Sequence, residues 1–207
     1  MASLTGDNTG RVHETGKDEF GRWVHMKLNG GAGRQTTVVT THQVCKANVK
    51  TSGPTTAVTQ QHSMHEQAKQ PDPHRLRWHH SRDLIQFVKR CQSEGELVVV
   101  AGDFNETLGD DANGLTRLCT DCQLVDPVFK LHGFSNFNTC INGTSCIDCV
   151  LVDPTLMPAV QAAGHEAFGT HIVSDHRGVC LDVNESLFFG NATLPPPSPS
   201  PRVHSSK

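Results

Sequence analysis

Two short stretches bring oxygen and nitrogen donors together at spacings suited to chemistry. Gly102-Asp103-Phe104-Asn105 sets a carboxylate and an amide two positions apart, and Ser174-Asp175-His176 sets an acid beside an imidazole. Asp148 interrupts an apolar run, Ile147-Asp148-Cys149-Val150-Leu151-Val152, and an acid in such a run needs a partner. His42 stands in Thr40-Thr41-His42-Gln43. Carboxylate and amide oxygens are the hard ligands that Mg²⁺ takes, and an imidazole can move a proton or meet an oxyanion. Cleavage of a phosphodiester needs that combination: neutralised phosphoryl oxygens, an in-line nucleophile and a protonated leaving oxygen.

These groups are useful only if regular elements hold them. Residues 97–101, an unbroken apolar run between Gly95 and Gly102, read as a strand buried on both faces that delivers Asp103 at its end. Strand alternation then turns Asp103 and Asn105 to one side and Phe104 into packing. Leu84, Ile85, Val88 and Cys91 fall at helical spacing within residues 75–93, and Leu115, Leu118 and Cys122 do so within residues 113–125. Residues 147–152 and 178–183 read as strands. Residues 22–28 and 36–44 read as a β-hairpin closed by a glycine-rich loop. Residues 46–74 are polar and carry three prolines, so a long loop is expected there, with its histidines exposed to solvent.

GDFN, then an Ile-Asp strand, then SDH before a terminal strand, in that order, resembles the endonuclease/exonuclease/phosphatase superfamily, which includes exonuclease III and DNase I. The likeness spans residues 11–189, and the stretch 140–158 is most similar to the endonuclease domains of non-LTR retrotransposons. The resemblance implies an α/β/β/α sandwich, two packed sheets flanked by helices. It also implies Mg²⁺-dependent phosphodiester hydrolysis, with Mn²⁺ as a possible substitute and DNA as the substrate. On that likeness Asp103 activates the attacking water, and Asn105 holds it or the scissile phosphate. His176 contacts the phosphate, Asp148 fixes the His176 tautomer, Asp175 lies at the metal, and His42 binds phosphate or protonates the leaving group. Family members begin with a strand bearing an asparagine and a second bearing the principal metal-binding glutamate. Neither can be placed, so the domain is expected to be N-terminally incomplete. Cys146 also stands where relatives carry Arg or Lys.

Composition bounds the alternatives. The chain has 207 residues, 36% of them hydrophobic, and a formal net charge of −3. That charge exerts no general pull on a polyanion, so any nucleic-acid contact must be local. No apolar run is long enough to span a membrane and no secretory signal is evident, so an intracellular protein with eight reduced cysteines is expected. No protein partner can be inferred. Cys119-x-x-Cys122 and Cys146-x-x-Cys149 raise a competing zinc-module reading, opposed by the opposite facing of strand positions three apart. Trp23 and Trp78 read as packed side chains. An inactive remnant or interaction module, and a phosphoinositide or other phosphoesterase, are the remaining alternatives. Residues 1–10 are expected to be flexible, and residues 190–207, rich in Pro and Ser, to form a disordered tail.

Overall fold

The computed structural model describes residues 6–47, 49, 52–133, 137–170 and 173–190. The expected Pro/Ser-rich tail lies outside them from residue 191 onward, as do residues 1–5. Residues Gly6–Arg11 form a 3₁₀ turn, and the Arg11 guanidinium lies 4.2 Å from the centre of the Phe189 ring.

A five-stranded sheet forms the centre of the molecule. It comprises β1 (Val12–Lys17), β2 (Trp23–Asn29), β3 (Gln35–His42), β4 (Leu97–Asp103) and β5 (Asp148–Val152), adjacent in that order. The β2–β3 pair is the expected hairpin. β4 runs parallel to β3, and β5 runs antiparallel to β4. A second sheet pairs β6 (Val160–His165) with β7 (Val179–Val183).

Between β3 and β4 the chain forms α1 (Ala57–Gln67) and α2 (Leu76–Ser93). α3 (Leu115–Cys122) and α4 (Pro127–His132) lie between β4 and β5, and α5 (Glu185–Phe188) follows β7. Alternation along β4 divides the core as expected of a strand buried on both faces. Val98 and Val100 join Leu84, Val88, Leu118 and Cys122 beneath α2 and α3. Val99 and Val150 face the other way, toward Val179, Leu181 and Val183 of β7 and toward Phe188. Two sheets thus pack through one apolar layer, with α2 and α3 over the outer face of the larger one, in keeping with the sandwich that the family resemblance implied.

The segment 46–74 departs from expectation, because much of it is helical. Thr56 caps α1 by accepting from the Thr59 amide. Val58, His62 and His65, at positions i, i+4 and i+7, form the buried stripe that holds the helix to the body. The stripe was hidden because two of its three members are histidines. His65 stacks on Phe20 at 4.2 Å and tilts against His79 at 5.0 Å, and all three rings are buried. Burial drives the His65 pKa down to about 4 and that of His80 to about 3, so both rings pack as neutral aromatics. His62 and His79 are buried too; His62, His65 and His74 of the segment 46–74, with His79 and His80 in the helical turn after it, are expected from the sequence to face solvent, and of these five only His74 does.

Candidate active site

Strand register assembles the site. His42 of β3 pairs with Asp103 of β4, and Asp103 pairs with Asp148 of β5, so three titratable side chains stand in a row across adjacent strands. All three lie on the sheet face that bears Val38, Ala101 and Val150, at one end of the inter-sheet layer. The strand crossing is tight just before Asp103. Gly102 has φ +152°, and a Cβ there would collide with the Thr41 carbonyl oxygen, so only glycine lets β3 and β4 close at this point.

Asn105 reaches the same spot by a different route from the one alternation suggested. β4 ends at Asp103, and Asn105 adopts the left-handed conformation with φ +48°, which asparagine tolerates better than most residues. Its amide N–H donates to Asp103 Oδ1 at 2.8 Å. Its Nδ2 donates to Asp103 Oδ2 at 3.2 Å and to the Gln43 carbonyl at 2.7 Å. The turn, not the pleat, brings carboxylate and amide together. Phe104 inserts into the core beneath α2 as expected.

Asp148 is buried and accepts from His176, with Nδ1 and Oδ2 2.8 Å apart. Thr139, wholly buried, locks the start of β5: its hydroxyl accepts from the amides of Ile147 (2.9 Å) and Asp148 (3.1 Å). The Thr139 carbonyl accepts from the Arg177 amide at 2.8 Å, which ties the His176 segment to the same anchor. His165 of β6 donates to the Asp148 carbonyl at 2.8 Å. Thr139, His165 and Gln43 hold the site through the backbone, roles that no motif announced although Gln43 directly follows His42.

The electrostatics follow from this crowding. Burial raises the Asp103 pKa, and the Asp148 charge opposite raises it further; the Asn105 amide, His176 and His42 pull the other way without prevailing. For His176, burial alone would lower the pKa. The hydrogen bond and charge of Asp148, with Asp103 and Asp175 behind them, outweigh burial and raise it. His42 is exposed, its Nε2 3.8 Å from Asp103 Oδ2.

Among the described residues, donor atoms of Asp103, Asp148 and His176 lie within 4.8 Å of one another and could hold a metal ion. Two carboxylates, each oxygen keeping a second lone pair, suit a hard cation that fills its remaining positions with water and phosphate oxygens. Among the described residues no third carboxylate joins this group. Asp175 is exposed and belongs to a second group, with Cys140 and His176. The four cysteines of the zinc-module reading form no such group among the described residues. Burial raises the pKa of Cys119 to about 12 and those of Cys122 and Cys146 to about 11, and pushes that of Cys149 well up, which keeps all four protonated. Cys146 is a packed thiol 3.6 Å from the Asp148 carbonyl oxygen.

A cleft of about 560 Å³ adjoins the row through Gln43 and Glu106. Lys46, Arg75, Arg77 and Trp78 line it. The guanidiniums of Arg75 and Arg82 lie 4.9 and 4.8 Å from the centre of the Trp78 ring, so Trp78 is a half-exposed platform and Trp23 alone is a core residue. Glu106 is buried, pairs with Arg77 at 2.5 Å and accepts from the Leu115 amide.

The sequence matches no protein-family model and no curated protein. Among solved structures the chain is similar to an AP endonuclease from Archaeoglobus fulgidus, with a TM-score of 0.57, 13% sequence identity, and coverage of 84% of this chain and 71% of that one. It is similar to a Neisseria 3′ phosphatase bound to a product DNA hairpin (TM-score 0.54, 14% identity, 84% and 71% covered). It is also similar to the endonuclease domain of TRAS1, a telomere-specific non-LTR retrotransposon (TM-score 0.51, 12% identity, 83% and 67% covered). The chain has the DNase I-like endonuclease/exonuclease/phosphatase fold.

Proposed function

We propose that residues 11–189 form a metal-dependent phosphodiesterase domain that cuts DNA, an endonuclease of the retroelement kind. The observation that carries this reading is the Asp148–His176 pair at 2.8 Å set beside Asp103 in the strand register. That arrangement provides a base, an oriented imidazole and a carboxylate pair at one strand end. The fold shared with DNA-processing enzymes supports a phosphodiester substrate, and the likeness to the TRAS1 domain supports the retroelement assignment.

In this mechanism Asp103 takes the proton of the attacking water, and its raised pKa makes it a better base than a free carboxylate. Asn105, already bonded to Asp103, fixes the direction of attack. The Nδ1–H of His176 is committed to Asp148, which leaves Nε2 to meet the phosphoryl oxygens as charge builds there. Asp103 and Asp148 would hold Mg²⁺, with Asp175 close by, and the ion would neutralise phosphoryl oxygens when bound. His42, exposed at the edge of the row, is the candidate proton donor to the leaving oxygen. The cations and Trp78 of the adjoining cleft suit a phosphate backbone with a stacked base.

Nicking of supercoiled plasmid by the purified chain, with Mg²⁺ or with EDTA, tests the reading. Expected is Mg²⁺-dependent nicking that falls on the order of 10²- to 10⁴-fold in both Asp103→Asn and His176→Ala. A folded wild-type chain that leaves plasmid intact would overturn the DNA assignment. Mg²⁺-dependent release of phosphate from a phosphoinositide would then keep metal-dependent phosphoester hydrolysis and replace both the substrate and the diester assignment.

A further inference from the structure

Of the second donor group the hydrolytic reading uses Asp175 and His176 and leaves Cys140 without a role. Cys140, Asp175 and His176 offer a sulfur, a carboxylate oxygen and an imidazole nitrogen, all within 4.8 Å of one another. Main-chain pairing holds them together rather than chance proximity. Cys140 and His176 form an antiparallel bridge, the Ile141 amide donates to the Asp175 carbonyl at 2.7 Å, and the Arg177 amide donates to the Thr139 carbonyl at 2.8 Å. Asp175 is exposed and the other two are half-exposed, so an ion can arrive from solvent.

We propose that Cys140, Asp175 and His176 bind a thiophilic divalent cation of the Zn²⁺ class, and that its binding withdraws His176 from the candidate active site.

The donor types decide the ion. Zn²⁺ accepts sulfur, nitrogen and oxygen together and commonly takes three protein ligands plus water, whereas Mg²⁺ prefers all-oxygen surroundings. Donors around tetrahedral zinc stand roughly 3.3–3.6 Å apart, so this group needs to contract by no more than about 1.5 Å, the scale of a side-chain rotation. His176 is common to this group and to the group with Asp103 and Asp148. The two groups differ in hardness, so a soft ion and a hard ion compete for one imidazole. The inhibitory half of the proposal rests on the phosphodiesterase reading; the binding half does not.

Co²⁺ titration of the full chain, followed by its thiolate-to-metal charge-transfer band and by displacement with Zn²⁺, tests the binding half. Expected is one Co²⁺ per chain with a thiolate band. The band should vanish in Cys140→Ser and should need at least about tenfold more Co²⁺ in Asp175→Asn; Asp103→Asn should retain it. Circular dichroism confirms folding, and Asp175→Asn, at an exposed position, serves if Cys140→Ser does not fold. A folded wild type without the band, or a band unchanged in Cys140→Ser, would overturn the site, the latter by moving the sulfur to another cysteine. In the nicking assay, micromolar Zn²⁺ over millimolar Mg²⁺ should slow the wild type and leave Cys140→Ser at its rate in Mg²⁺ alone. Equal inhibition of both chains would refute the withdrawal of His176. A wild type that nicks nothing overturns the DNA assignment and with it the inhibitory half as stated, and the Co²⁺ titration still decides the metal site.

Discussion

Asp103 and Asp148 stand directly opposite each other on neighbouring antiparallel strands, two carboxylates in one register position. Like charges so placed repel, and a sheet built only for stability would not keep them. The arrangement is tolerable because each acid has its own compensation: Asp103 has two donors from Asn105, and Asp148 has the His176 imidazole.

Neutralising Asp103 should therefore stabilise the protein while silencing it. Its pKa is raised in the folded state, so folding binds the proton more tightly than the unfolded chain does. The resulting penalty is present above the folded pKa and disappears as pH falls below the ordinary value of 3.8. Asp103→Asn is expected to melt higher than wild type at pH 7, with the gap closing toward pH 3. A lower melting temperature at pH 7 would contradict the repulsion.

The opposite dependence holds for His176. Its folded pKa lies above the ordinary 6.5, so the stability it contributes is complete below that value and is lost as pH rises through the folded pKa. In a proton NMR titration His176 should lose its proton at a higher pH than an exposed histidine, and Asp148→Asn should bring it back down. If the Asp148→Asn titration is unchanged, the pairing does not govern the imidazole.

Gly102→Ala should weaken the fold at the site. The added methyl meets the Thr41 carbonyl, and the φ of +152° is one that alanine rarely adopts. A loss on the order of 2–4 kcal/mol in urea unfolding is expected. Gly109, with φ +102° but nothing near its missing Cβ, serves as the control that carries backbone strain without the collision.

The buried histidines should make the protein acid-sensitive. The folded pKa of His65 is pushed down to about 4, so the unfolded chain takes up a proton first as pH falls through 6.5. Stability then declines between about pH 6.5 and pH 4, by on the order of 3 kcal/mol for a shift of this size. His65→Phe, which keeps the stack on Phe20, should flatten that part of the stability profile. An unaltered profile would assign the acid sensitivity to other groups.

The legible part of the fold is the part governed by hydrophobic periodicity. Val98, Val99 and Val100 announce a strand covered on both faces, and Leu84, Ile85 and Val88 announce the helix above it, because burial of aliphatic side chains leaves few other arrangements. The acids were visible as interruptions of such runs, as with Asp148. α1 was not legible, because His62 and His65 contribute burial only as neutral, stacked rings, a state that depends on Phe20 and His79 elsewhere in the chain. The union of Asp103 with Asn105 was foreseen for the wrong reason: a left-handed turn does what strand alternation was expected to do. Thr139 went unseen because its role depends on backbone amides that only the folded loop brings to its hydroxyl.

The alignment of β5 on β4 also acts as a proofreading device. Side chains alternate with a period of two, so a slip of one residue would swing Asp148 from the solvent-accessible end of the inter-sheet layer into the aliphatic packing beneath α2, and would set Cys149 opposite Asp103. An unpaired carboxylate in that packing costs several kcal/mol, a large fraction of what holds a domain of this size together. A chain that mispairs these strands would therefore fail to fold before it could fold into an inactive form, and errors in the site would be cleared as errors in the fold.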